Sequence, residues 1–164
     1  MALRIESHYK GAIPLNIERL VKNLLKKIPP EHLIGLDVIS IVDKVTHKKN
    51  KLAGGLYWQK VGRDPALIEI ATEEIYGGMP RLFFFLPFIP KFMLANVLFH
   101  EIGHHFQQFT HGVSKREREA FADDYKKHML KRAFWGWRFL LYPLSPFIHW
   151  LNRNAQRKCM QGDL

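Results

Sequence analysis

Residues 91–109 constrain this chain most, because they are apolar on nearly every side of a helix yet carry two histidines and a glutamate. Phe92, Ala95, Leu98, Phe99, Ile102, Phe106 and Phe109 leave little face for water, so the helix has to be central and buried. Within it, His100-Glu101-Ile102-Gly103-His104 sets two imidazoles four residues apart, one above the other on a single face. Glu101 lies about 100° round from His100, near enough to reach a water held by an ion on the histidines. Two neutral nitrogen donors suit zinc, and the adjacent carboxylate suits a general base. Small Gly103 allows a close neighbour, whereas His105 points to a different face and is not expected to be a ligand.

The rest of the chain has to build layers against that helix. Over residues 14–28, Ile17, Leu20, Val21, Leu24, Leu25 and Ile28 recur at helical spacing, predicting an amphipathic helix that ends at Pro29-Pro30 and covers a sheet. Three strand-like runs follow, over residues 33–45, 52–59 and 66–71, and predict a small three-stranded, antiparallel-leaning sheet. In the third run Leu67, Glu69 and Ala71 alternate with Ala66, Ile68 and Ile70, so one face packs. The edge of such a strand, just before the metal helix, could take an extended peptide. Residues 82–90, Leu-Phe-Phe-Phe-Leu-Pro-Phe-Ile-Pro, are too short and too broken by proline to span a bilayer. A buried lid and partial insertion into a membrane surface are both open readings of them.

Composition bounds the partners. A chain of 164 residues with 47% hydrophobic residues fits one α+β domain, here residues 1–132, followed by a segment over 133–164. That segment crowds Trp135, Trp137, Tyr142, Phe147 and Trp150 between basic residues, and its Arg138 and two prolines argue against a spanning helix. It could lie at an interface, pack over the domain or bury in a homo-oligomer. The net charge of +10 draws the chain toward anionic surfaces, and the aromatic-basic mixture suits a membrane interface better than a phosphate groove. Nucleic acid is the weaker reading, since no finger, phosphate loop or RNA-binding aromatic motif is present. The single cysteine, Cys159, excludes an intrachain disulfide, and the polar residues 1–10 lack the apolar core of a signal peptide. A cytoplasmic location is expected, with the inner face of the membrane as a place of association.

A catalytic zinc takes three protein ligands and keeps one position open. Downstream candidates are His111, Glu117, Glu119, Asp123, Asp124 and His128. A three-histidine pattern would place glycine at 107 and histidine at 110, where this chain has Gln107 and Thr110, so His111 is displaced by one residue. Ser114-Lys115-Arg116-Glu117 reads as a capping box that occupies Glu117 at the start of a helix running to about residue 132. Glu119 and Asp123 lie one turn apart on that helix, so Glu119 is the expected third ligand and Asp123 the carboxylate that supports a ligand histidine.

The two motifs together, His100 to His104 and Glu119-Ala120-Phe121-Ala122-Asp123, resemble the gluzincins, zinc peptidases whose downstream helix supplies a glutamate and a supporting aspartate. Residues 114–123 are similar to the pattern of the membrane-bound CAAX-type and heat-shock metalloproteases, with Lys115 inserted before Arg116. In size and element order the chain is more similar to the minigluzincins. The resemblance implies a minimal zincin-like domain that hydrolyses protein or peptide substrates, with zinc on His100, His104 and Glu119 and with Glu101 as the catalytic base. A second electrophile often shares the oxyanion charge in such sites, and His111, Tyr125 and His128 are equal candidates. The competing reading is a noncatalytic, membrane-associated or scaffold protein in which a structural zinc joins two helices.

Overall fold

The computed structural model describes residues 3–11, 13–47, 51–62, 64–107 and 114–137. The chain divides into two units, Met1–Ala133 and Phe134–Leu164. The first contains every element below, and of the second only the single 3-10 turn Trp135–Trp137 is described. The expected aromatic and basic segment therefore lies, from residue 138 on, outside the described residues, as does His111.

The first unit is mixed α+β. Its described elements are β1 (Arg4–Ser7), α1 (Ile17–Leu25), β2 (Val38–Val42), β3 (Val45–His47), β4 (Lys51–Ala53), β5 (Gly55–Trp58), β6 (Leu67–Ala71), α2 (Thr72–Tyr76), α3 (Phe88–Gln107) and α4 (Lys115–Ala133). Four strands form one sheet in the order β1-β2-β6-β5, and β3 and β4 form a separate hairpin. The sheet is parallel across β1, β2 and β6, with only β5 antiparallel. A three-stranded, antiparallel-leaning sheet was the expectation, and it is corrected here. β1 escapes sequence pattern because Arg-Ile-Glu-Ser offers one apolar residue and pairs on one side only. The run 33–45 breaks into a 3-10 turn, β2 and β3, and the run 52–59 turns at Gly54 between β4 and β5.

Burial follows from position in the sheet. In β2, Val38, Ile39, Ser40 and Ile41 are all buried, the signature of a central strand covered on both faces. β6 keeps the alternation its sequence implies, with Ile68 and Ile70 buried and Leu67 and Glu69 half-buried. It is, however, flanked by β2 and β5, so it has no free edge for a peptide. The edges belong to β1 and β5.

α1 is capped by the Asn16 side chain, which accepts from the Arg19 N–H at 2.8 Å, and it buries Ile17, Val21 and Leu24 against α3 and β1. α3 starts earlier than expected because Pro90 sits in its first turn, where a missing N–H costs nothing. Leu94, Ala95, Leu98, Phe99 and Ile102 are completely buried on it. The helix therefore packs on α1 and the sheet on one side and on α4 on the other. α4 is highly charged and holds on through Ala122, Tyr125 and Met129. Its start is the expected capping box, with Ser114 N–H donating to Glu117 at 2.8 Å and Glu117 N–H donating to the Ser114 hydroxyl at 3.3 Å. Among the described residues no helix is long and apolar enough to cross a membrane.

Candidate metal centre

The two histidines come from one helix and the carboxylates from the next. What lets them meet is a close crossing of α3 and α4 at Gly103. A Cβ built there would stand 2.9 Å from Ala122 Cα, 3.2 Å from its carbonyl oxygen and 3.3 Å from its Cβ. No side chain fits at that distance without the helices moving apart. With glycine there, Glu119, one turn before Ala122, reaches the imidazoles. Its Oε2 lies 3.6 Å from Nε2 of both His100 and His104, and the two Nε2 atoms are 3.2 Å apart. The imidazole planes stand nearly perpendicular, at 89°.

Those three separations test the donor set against an ion. Donors at about 2.0–2.1 Å from a tetrahedral zinc stand about 3.3–3.4 Å from one another. A triangle of 3.2, 3.6 and 3.6 Å is close to that edge length, so the spacing of His100, His104 and Glu119 suits an ion of that size. The Glu119 side chain is 50% exposed and the two imidazoles about 20%, so the group opens to the surface on the Glu119 side. Burial and the neighbouring His100 lower the pKa of His104, which favours the neutral imidazole a metal needs.

Asp123 lies behind the ligands. Its Oδ1 is 3.2 Å from His100 Nδ1, an ion-pair distance whose angle falls short of an aligned hydrogen bond, which leaves that buried nitrogen without a well-directed partner. A carboxylate on the far nitrogen of a ligand imidazole fixes the ring and its tautomer. A hydrogen bond from Lys126 at 2.7 Å holds the same carboxyl below its ordinary pKa and anchors it. Asp124, one residue on, turns outward to Lys127.

No known protein family, curated protein or solved structure matches the chain. The site therefore has to be understood from its own geometry.

Glu101 is buried between α3 and the sheet, and that burial pushes its pKa up to about 7, with Glu119 adding to the rise and a backbone hydrogen bond from Tyr57 opposing it. Edge strand β5 crosses directly above this carboxylate. A Cβ at Gly55 would meet Val97 Cγ1 at 2.6 Å, Glu101 Cγ at 3.0 Å and Glu101 Oε1 at 3.3 Å, so only glycine lets the strand come so close. Two residues on, Tyr57 gives its backbone N–H to Glu101 and its side chain to His105, with the hydroxyl 3.2 Å from Nδ1. His105 is completely buried and spans to the Ile34 carbonyl at 3.1 Å through Nε2. Nε2 is thus the donor, and Nδ1 accepts from the tyrosine. His105 stands off the metal face, as its helix position requires.

Sequence patterns do not single out Gly55 or Tyr57, because their partner lies more than forty residues away. The only local signal is the Gly54-Gly55 pair inside a strand-like run. Of the three candidates for a second electrophile, Tyr125 is buried with its hydroxyl 2.9 Å from His32 Nδ1, in a cluster with Phe106 and Phe121. That contact already engages its hydroxyl. His128 is exposed on α4 and stands about two and a half turns beyond Glu119, on the opposite face of the helix.

Proposed function

We propose that this chain is a zinc-dependent peptidase with a minimal zincin-like, gluzincin-type site. The observation that carries the reading is the Nε2, Nε2, Oε2 triangle at tetrahedral edge lengths, with a buried carboxylate next in sequence to one of its corners. His100, His104 and Glu119 would hold the ion, and Asp123 would orient His100. Zinc, once bound there, would supply a Lewis acid for a scissile carbonyl and for a water.

The proton chemistry falls to Glu101. Its carboxylate, held by the Tyr57 N–H, accepts a proton from the attacking water and delivers it to the departing amine. Burial keeps its affinity for that proton near neutrality, so it can both take and give it up. A purely structural zinc has no use for a carboxylate in this place, which favours catalysis over a scaffold role. The unpaired side of β5 is the edge that lies over Glu101, and an extended protein or peptide substrate can add to it by main-chain hydrogen bonds. A cytoplasmic site of action belongs to the same proposal.

The test is a pair of measurements on the full chain. Metal analysis should find one zinc per chain in the wild type and in Glu101→Gln, while hydrolysis of a quenched fluorescent peptide library is lost in the variant. Equal hydrolysis by both proteins would sink the assignment of Glu101. Zinc retained in His104→Ala at wild-type affinity would remove the site itself.

A further inference from the structure

Away from the metal centre, the most unusual surface is the 3-10 turn Arg81–Phe85 and the residue after it. Leu82 and Phe85 are 69% and 81% exposed and Leu86 is 42% exposed, an apolar group that a folded chain ordinarily hides. These side chains are not held out by a loose loop. Phe83 N–H donates to the Pro80 carbonyl at 2.9 Å, Leu86 N–H to Phe83 at 3.2 Å and Ile89 N–H to Leu86 at 2.9 Å, so the turn runs bonded into α3. Phe84 faces the other way, against Tyr76 with ring centroids 6.1 Å apart, and the Tyr76 hydroxyl donates to the Pro90 carbonyl at 3.1 Å. Of the two readings open in the sequence, the buried lid is therefore corrected for Leu82, Phe85 and Leu86, which stand exposed.

Charge narrows what this wedge can meet. From residue 75 to residue 100 the chain has no aspartate or glutamate, and exposed Arg81 begins the turn. The whole chain carries +10, which opposes docking of a second copy of itself. Beside the turn lies an open cavity of about 680 Å³, lined among others by Ile13, Met79, Phe84, Phe85, Arg81 and Glu73, the last already paired with Lys44 at 3.1 Å, so that an apolar chain has room next to a cation.

We infer that this turn docks the protein on an anionic lipid bilayer, with Leu82, Phe85 and Leu86 entering the acyl boundary and Arg81 meeting headgroup phosphates. Rigid apolar tips beside basic residues bind membranes through the sum of buried apolar area and attraction to anionic lipid. The inference does not depend on the metal centre being catalytic.

The experiment is sedimentation of the full chain with vesicles of phosphatidylcholine alone and of phosphatidylcholine mixed with phosphatidylglycerol. Wild type should partition onto the mixed vesicles and weakly onto the neutral ones. Leu82→Ser/Phe85→Ser, at exposed positions that leave the melting temperature unchanged, should lower partitioning onto the mixed vesicles by about tenfold or more. Arg81→Gln should lower it several-fold on anionic vesicles and leave the neutral ones unaffected. Absence of wild-type binding, or a double variant that binds as well as wild type, would overturn the inference. So would a wild-type dimer that the double variant turns into a monomer, which would make the patch an interface between copies.

Discussion

Gly103→Ala is the sharpest perturbation of the metal centre, because it adds one methyl group at the crossing of α3 and α4 and touches no ligand. The added Cβ would stand 2.9 Å from Ala122 Cα, against about 3.5–4.0 Å for relaxed carbon contacts. The helices must part by about 0.6 Å or more to restore that spacing. Overpacking of this kind costs about 1–3 kcal/mol, while alanine in place of a helical glycine gains about 1 kcal/mol. The net is a loss of up to about 2 kcal/mol of stability, opposite in sign to what propensity alone predicts. The metal responds more steeply. Glu119 rides on α4, and a movement of that size exceeds the roughly 0.2 Å tolerance of a zinc-ligand distance. Zinc affinity, measured by competition with a chromophoric chelator, should fall about tenfold to a hundredfold, the range that follows loss of ligand-orienting groups. Gly78→Ala is the control, since a Cβ there meets nothing within 4 Å. A Gly103→Ala protein that melts as high as the control and binds zinc like wild type would refute the claim that this crossing sets the site.

Two other outcomes follow from the same structure. Asp123→Asn keeps the shape but weakens the support of His100, so zinc affinity should drop about 10–100-fold while the metal-free protein melts close to wild type; unchanged affinity would leave Asp123 a mere partner of Lys126. Burial lowers the pKa of His105, and burial with His100 lowers that of His104, so both take up protons more readily in the unfolded chain. In Glu101→Gln, which removes the buried carboxyl whose raised pKa acts in the opposite sense over the same range, stability of the metal-free protein should therefore be full above the unfolded histidine value of about 6.5 and decline as pH falls below it. Urea midpoints at about pH 7 and about pH 5 check this, and a higher midpoint at the lower pH contradicts it.

Some of this protein is written in short-range pattern. The spacing of His100 and His104, the capping box of Ser114 and Glu117 and the apolar stripe of α1 depend on neighbours within a turn or two of helix, where periodicity is a direct readout of geometry. The same local logic put Glu119 and Asp123 on one face of α4. It could not say that this face would meet the histidines, because the meeting depends on the contact of Gly103 with Ala122, nineteen residues away.

The sheet depended more on tertiary structure. β1 has almost no apolar pattern of its own and exists because β2 offers it a paired edge. β6 reads in sequence like a strand with one free side, yet β5 returns antiparallel to cover it and takes over the edge. That placement puts the Tyr57 N–H on Glu101 and makes Gly55 indispensable, neither of which a linear pattern can show. Local spacing alone marked the histidine pair as able to hold a metal, since one helix sets it by its own repeat. Only the folded chain brought the Glu119 carboxylate to the triangle and a strand over the base, because both are contacts between elements whose spacing in the chain carries no information about their spacing in space.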